Sequence, residues 1–373
     1  ETPDGDETPD GDETPDGDET PDGDETPDGD ETPDGDETPD GDEEQEAAEI
    51  EVYPYALLDT NQDDSHCTSY SEKGWGWMAC SSITDGSSFY GQDGHYVKEA
   101  VARSYTDNGD GSISDNVTGL LWQKCQYGQS ESDCSGGSAT QLDWQTAMDY
   151  CEALELGGHD DWKLPTIYEL SSLMDLSNAG APLINTSYFQ NASYKKFWSS
   201  TVYTYLTDTS WYLSFFDASS DARDKTDGSN MNARCVRSEQ IYGKSSFHAE
   251  EISGQRVVTD LATGLIWQGC VSGLDGYNCT SGTPAATLTW QDALEYCEGL
   301  TWGGFSDWRL PDRLELLSLI DYDKDSSQLY TDNEAFPNFG GGSYQWASSN
   351  IPTNVNYAAR TVFTSGAWEI IMR

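Results

Sequence analysis

The residues of this chain best placed to do chemistry are carboxylates and thiols. Asp321-Tyr322-Asp323-Lys324-Asp325 is followed by Asp332 at the twelfth position counted from Asp321. Oxygens at positions 1, 3, 5 and 12 have the spacing of a calcium loop. Two positions depart from that pattern: Ser326 stands where such a loop has Gly, and Asp332 where it has Glu. Against calcium held by Asp321, Asp323, Asp325 and Asp332 stands the plainer reading of a solvated acidic loop after a helix. A second acidic group, Asp107, Asp110 and Asp115, flanks Asn108-Gly109, and a hairpin turn accounts for it.

Nine cysteines follow: Cys67, Cys80, Cys125, Cys134, Cys151, Cys235, Cys270, Cys279 and Cys297. None forms a Cys-x-x-Cys pair and the four histidines are scattered, so a structural zinc site is not expected. Disulfides formed in an oxidising compartment fit better, and Cys67 and Cys80 are close enough to close a local loop. No Gly-x-Ser-x-Gly, P-loop, dinucleotide fingerprint or His-Glu-x-x-His is present. The expectation is a protein that is not an enzyme and has no cofactor except, at most, calcium.

Charge narrows the field further. The formal net charge is −50, and three acids in each of seven perfect Glu-Thr-Pro-Asp-Gly-Asp repeats at 1–42 account for 21 of it. A field of that sign repels nucleic acid and anionic lipid and attracts cations. With no apolar side chain but proline, the tract reads as a self-repelling stalk. If ordered, it is a periodic, fibre-like element whose charge is compensated by calcium, by glycans or by lateral packing. Thr2, Thr8, Thr14, Thr20, Thr26, Thr32 and Thr38 each precede Pro, a common setting for O-glycosylation. Asn116, Asn185, Asn191 and Asn278 head Asn-x-Ser/Thr sequons. No stretch reaches transmembrane length, and the start of the chain in mid-repeat suggests a processed or partial product.

The rest of the chain is a tandem duplication with an offset of about 146 residues. Asp115 to Gln123 matches Asp260 to Gln268, Cys125 and Cys134 match Cys270 and Cys279, and Cys151–Asp175 aligns without gaps to Cys297–Asp321. In the shared block, Trp144, Ala147, Met148, Cys151 and Leu154 form the apolar stripe of a helix, repeated by Trp290, Ala293, Leu294, Cys297 and Leu300. Asp143 or Thr289 can cap its start and Gly157-Gly158 or Gly303-Gly304 its end. A second helix follows Pro165 and Pro311, where Thr166-x-x-Glu169 and Asp312-x-x-Glu315 have capping-box form. Short segments rich in Trp, Val and Tyr suit strands, giving an α+β domain. The paired tryptophans fall on these stripes and read as core. Unpaired Trp75, Trp77, Trp211, Trp302 and Trp368 are the better candidates for exposed contacts.

Thr118-Gly-Leu-Leu-Trp-Gln123, the Trp144–Cys151 helix, Asp161-Trp-Lys-Leu-Pro-Thr166, Trp198-Ser-Ser200 and Arg234-Cys-Val-Arg237 together resemble the Lcl C-terminal domain family, named for a collagen-like bacterial adhesin. The resemblance covers roughly residues 55–373, with Phe89-Tyr-Gly-Gln-Asp93 as an upstream part. It implies a C-type lectin-like fold and the pairs Cys151–Cys235, Cys125–Cys134 and Cys270–Cys279. Cys297 is then unpaired in this chain, and the resemblance leads us to expect a continuation whose next residue is its cysteine. Family members are linked to adhesion, including to sulfated polysaccharides, whereas this chain has 18 basic residues against 68 acids.

The expected architecture is a repeat stalk or fibre element at 1–42 and an acidic linker at 43–50. A first lectin-like domain with an N-terminal extension occupies 51–240, and a second, truncated one 241–373. The expected function is an extracellular structural protein that assembles with copies of itself into a fibre or surface layer. The alternative is a stalked, calcium-dependent, glycan-binding adhesin on the cell surface. Neither reading involves nucleic acid or membrane insertion.

Overall fold

A computed structural model describes residues 55–96, 102–178, 180–192, 196–238, 243–285, 287–324, 329–339 and 344–372, the last five by backbone alone. The hexapeptide tract with its seven threonines, Asp325 and the Trp368 side chain lie outside the described residues. What is described is mostly β-sheet with four short α-helices, arranged as two repeated domains.

Chain order begins with a hairpin of β1 (Cys67–Ser71) and β2 (Gly74–Met78). The first repeat then contributes β3 (Tyr105–Asp107), β4 (Ser112–Asp115), β5 (Leu121–Gln123), α1 (Trp144–Glu152) and α2 (Ile167–Ser172). It continues with β6 (Lys196–Val202), β7 (Thr209–Ser214), β8 (Ser220–Asp224), β9 (Met231–Asn232) and β10 (Val236–Arg237). The second repeat gives β11 (Phe247–Ile252), β12 (Gln255–Asp260), β13 (Ile266–Gln268), α3 (Trp290–Glu298) and α4 (Arg313–Ser318). It ends with β14 (Tyr344–Asn350), β15 (Tyr357–Val362) and β16 (Ala367–Met372).

Local sequence sets the helix starts. The Asp143 carboxylate accepts the Thr146 amide at 2.9 Å, and Thr289 with Asp292, Thr166 with Glu169 and Asp312 with Glu315 close reciprocal capping boxes. These side chains satisfy amide groups that the first turn leaves without partners. The glycine pairs do not end the first helices. α1 stops at Ala153 and α3 at Gly299, while Gly157-Gly158 and Gly303-Gly304 form the later turns that join Leu156 to His159 and Trp302 to Phe305.

The two repeats share one seven-stranded sheet, in the order β9-β6-β7-β8-β16-β15-β14. Its middle is a seam between β8 and β16, antiparallel, with Ser220 opposite Trp368. Counting from the hairpins that precede them, β8 and β16 are the same strand of each repeat. This places Met372 opposite Asp224 in the alignment. Expecting the cysteine directly after Arg373 implies a match of Arg373 to Arg234, whereas the strand order matches Met372 to Asp224.

Side chains close the seam from one face. Tyr168 on α2 meets Tyr322 edge-on at 5.2 Å, and Trp211 on β7 meets Tyr322 at 4.9 Å. Tyr168 Oη donates to the Ile320 carbonyl and Tyr322 Oη to that of Gly366 at 3.2 Å. Arg313, fully buried, donates from Nη2 to the Ala218 carbonyl at 2.7 Å across the seam. Burial pulls its pKa down to about 10, so it keeps its proton at neutral pH. Trp211 is therefore core and not an exposed contact, and so is Trp302 at 4% exposure, whereas Trp77 is 42% exposed.

Because the core runs through both repeats, the pair should unfold as one unit. Tyr322→Ala is expected to lower stability by about 3–5 kcal/mol in urea titration, with a single transition before and after. Two separate transitions in the unmodified chain would show that the repeats fold independently.

Candidate functional site

One concavity among the described residues lies in the second repeat, at the place that 231–237 fill in the first. In the first repeat, 231–237 runs back under the domain. β9 pairs parallel with β6 at Lys196 and Phe197, and β10 pairs antiparallel with β5 at Leu121 and Trp122. The amides of Gln123, Tyr127, Leu142 and Lys163 donate to the carbonyls of Cys235, Ala233, Met231 and Val236 at 3.0, 3.0, 3.3 and 2.9 Å. Gln123 Oε1 accepts the Cys235 amide at 3.1 Å, and Cys235 is bonded to Cys151 on α1. Arg234, fully buried, donates from Nη1 to the Gln123 and Lys124 carbonyls and lies 4.8 Å from the Phe189 ring.

The second repeat has the same walls and, among the described residues, no such segment. Its small sheet is β11-β12-β13, three strands where the first repeat has four, and β13 is a bare edge. A cavity of about 490 Å³ opens there, lined by Gln268, Ala293, Cys297, Trp308, Trp346 and others. Trp122 is fully buried and its counterpart Trp267 only partly so, while Ile266 is 46% exposed. Gln268 Nε2 donates to Tyr296 Oη at 2.8 Å as Gln123 Nε2 does to Tyr150 Oη at 2.5 Å, so the wall is preformed. Buried Glu315 holds Arg309 by two contacts of 2.6 and 2.5 Å on one side.

Four disulfides are present: Cys67–Cys80, Cys125–Cys134, Cys151–Cys235 and Cys270–Cys279. Cys297 is free, half-buried on the cavity wall. Among the described residues, one group of three metal-capable side chains comes within mutual reach, namely Cys67, Cys80 and His95. Its two sulfurs are bonded to each other, which removes the thiolates a metal would need.

The acidic loop is already partly engaged. Asp321 Oδ1 accepts the Asp323 amide at 3.1 Å, and Asp323 pairs with Lys244 at 2.6 Å. Asp332 caps the next turn, accepting the amides of Glu334 at 2.8 Å and Ala335 at 2.9 Å. The Asp107 group serves its hairpin: Asp107 pairs with Lys124 at 2.6 Å, Asp110 accepts from Ser112, and Asp115 accepts the Val117 amide.

A polar network missed by sequence reasoning ties the upstream segment to the second repeat. Gln62 and Asn350 exchange two bonds of 2.8 Å, side-chain amide to backbone. Asn350 Nδ2 donates to Gln92 Oε1 at 3.0 Å, and Ser349 Oγ to Asp93 at 2.7 Å. Tyr96 Oη donates to Glu298 on α3. The same segment touches the first repeat through the Leu176 amide, which donates to the Thr60 carbonyl. The signal for it was Phe89-Tyr-Gly-Gln-Asp93, a motif noticed without an assigned partner.

The family whose pattern matches is the Lcl C-terminal domain, over residues 111–237 and again over 256–372. No curated protein and no solved structure matches the chain.

Burial pushes the Cys297 thiol up to about 12, with Glu298 adding to the effect. The thiolate fraction at pH 8 is then about a thousandfold below that of an ordinary cysteine. Alkylation by iodoacetamide should be slow by roughly that factor in the native chain, rise with pH, and reach the ordinary rate in denaturant. Equal native and denatured rates would place the thiol in open solvent.

Proposed function

This chain belongs to the Lcl C-terminal domain family, in two copies, and from that membership we propose a non-enzymatic, extracellular structural protein. In this reading the domains are C-type lectin-like and the acidic repeat, with glycosylated threonines or bound calcium to offset its charge, is the element through which copies of the chain assemble. The observation that carries it is the joining of the two disulfide-bonded copies through one continuous sheet, in a chain whose sequence also holds a strictly periodic polyanion. Four disulfides suit a secreted or cell-surface location. Among the described residues no helix is long and apolar enough to cross a membrane. The charge argues against nucleic acid as a partner.

A second reading is supported by the β1–β2 hairpin, where Tyr70 is 62% and Trp77 42% exposed. Exposed aromatic faces are what a sugar ring stacks on, and this reading makes the chain a stalked glycan-binding adhesin.

Electron microscopy of native material with and without a calcium chelator, alongside its intact mass, separates the two. The structural reading expects regular fibres and a mass excess on the repeat tract, with fibres lost on chelation if calcium bridges them. Isolated particles with unmodified tails would overturn it. For the adhesin, a glycan array probed with the chain should give saturable binding that Trp77→Ala weakens by roughly five- to thirtyfold, as the loss of a stacking contact of about 1–2 kcal/mol implies. Binding unchanged by that substitution would remove the hairpin from consideration.

A further inference from the structure

Two observations point to the kind of glycan the β1–β2 hairpin would take, given the adhesin reading on which this inference rests. The first is a row of rings. Tyr70 stands opposite Trp75 and Thr68 opposite Trp77, so all four side chains lie on one face of the hairpin. Trp75 is held from beneath, edge-on to Phe89 at 5.1 Å and to Trp290 at 6.2 Å. Tyr70 meets Trp75 edge-on at 5.6 Å, and Thr68 donates its amide to Gln92 Oε1 at 2.9 Å. The row is thus in place before a ligand arrives, and its outer members Tyr70 and Trp77 are open to solvent.

The second observation is how the basic residues are used. Lys124, Lys163, Arg223, Arg237, Lys244 and Arg309 are paired with carboxylates. The guanidinium groups of Arg103, Arg234, Arg256 and Arg313 are turned to backbone carbonyls. Lys196, Lys225 and Arg360 lie over aromatic rings. Among the described residues this leaves Lys73 and Lys324, which is no cluster with which to hold a sulfated polymer. Lys73, at the hairpin tip, is flanked by Glu72, and Asp63, Asp64 and Asp85 of the same segment are exposed. The field around the aromatic row is that of carboxylates, and it attracts cations.

We propose that this face binds a polymer of hexosamine units with free amino groups, its pyranose rings stacking on Tyr70 and Trp77 and its ammonium groups drawn to the rings and to the carboxylates of the segment. Each unit of such a polymer carries a flat C–H face and a cation, the two features that the hairpin can recognise. N-acetylation removes the cation and sulfation reverses the charge, so both modifications are selected against. A basic peptide brings the same charge on long flexible stems and must give up the rotamer freedom of every lysine it places.

The test is calorimetry of the 373-residue chain with a glucosamine hexasaccharide, its N-acetylated form, heparin and polylysine. Because the acidic tract attracts any polycation, the Trp77→Ala and Tyr70→Ala chains serve as references, with urea midpoints checking that each folds. The amino form should bind about tenfold more tightly than the N-acetylated form, as one or two exposed cation–π contacts imply. Either substitution should remove most of that preference, and heparin should not bind. Equal affinity for the amino and N-acetylated forms would overturn the inference and leave the adhesin reading standing. Binding of none of the glycans would overturn both. Binding of the amino form that neither substitution weakens would be charge attraction to the tract. Polylysine held more tightly by the unmodified chain than by the Trp77→Ala chain would make the partner a basic peptide, and either of these results overturns the assignment.

Discussion

Everything else in the described structure rests on one antiparallel contact, Ser220 opposite Trp368, between equivalent strands of the two repeats. Pairing like with like is the geometry of a two-fold axis, here written into a single chain. Two separate sheets would each leave an edge with unpaired amides, exposed to association with other chains. Joining them satisfies both edges and brings α2 against α4. The aromatic cluster of Tyr168, Trp211 and Tyr322 then has a place to pack, with edge-on geometry worth about 0.5–1.5 kcal/mol per pair beyond burial. Arg313 is tolerated at full burial because its guanidinium finds a carbonyl on the far side of the seam.

Around that two-fold the described residues of the two repeats are not packed alike. The first repeat is closed by its own 231–237 segment, with a fully buried arginine and a disulfide to its first helix. The second is held from outside by residues 62–96. Gln92 and Asp93 there are buried and bonded to Ser349 and Asn350. In the first repeat those two positions are Thr201 and Val202, which cannot make the same set of bonds.

Which of these features the sequence disclosed follows from how local each is. The helix starts were legible because a capping box is complete within four residues, and the stripe of Trp144, Ala147, Met148 and Cys151 because it repeats at helical spacing. The repeats themselves were legible from Asp115 and Asp260 onward. The seam was not, because it is built where the copies differ: Tyr168 faces a role that Leu314 lacks, and Trp211 has Ala359 as its counterpart. An unmatched tryptophan was read as an exposed contact, whereas it is unmatched because only one copy fills the centre of the interface. The open groove left one legible trace, the unpaired Cys297. The clasp at Asn350 left none beyond a motif, since its two halves lie 288 positions apart.

That separation has a consequence for how the molecule is made. Synthesis at about 5–20 residues per second places the emergence of Asn350 roughly 15–60 s behind that of Gln62. For this interval Thr68, Gln92 and Asp93 have polar groups destined for burial and no second repeat to receive them. The Cys67–Cys80 bond closes over 13 positions and needs nothing downstream. It can form as soon as the segment reaches an oxidising space, holding the early-made half of the clasp in shape until its partner arrives.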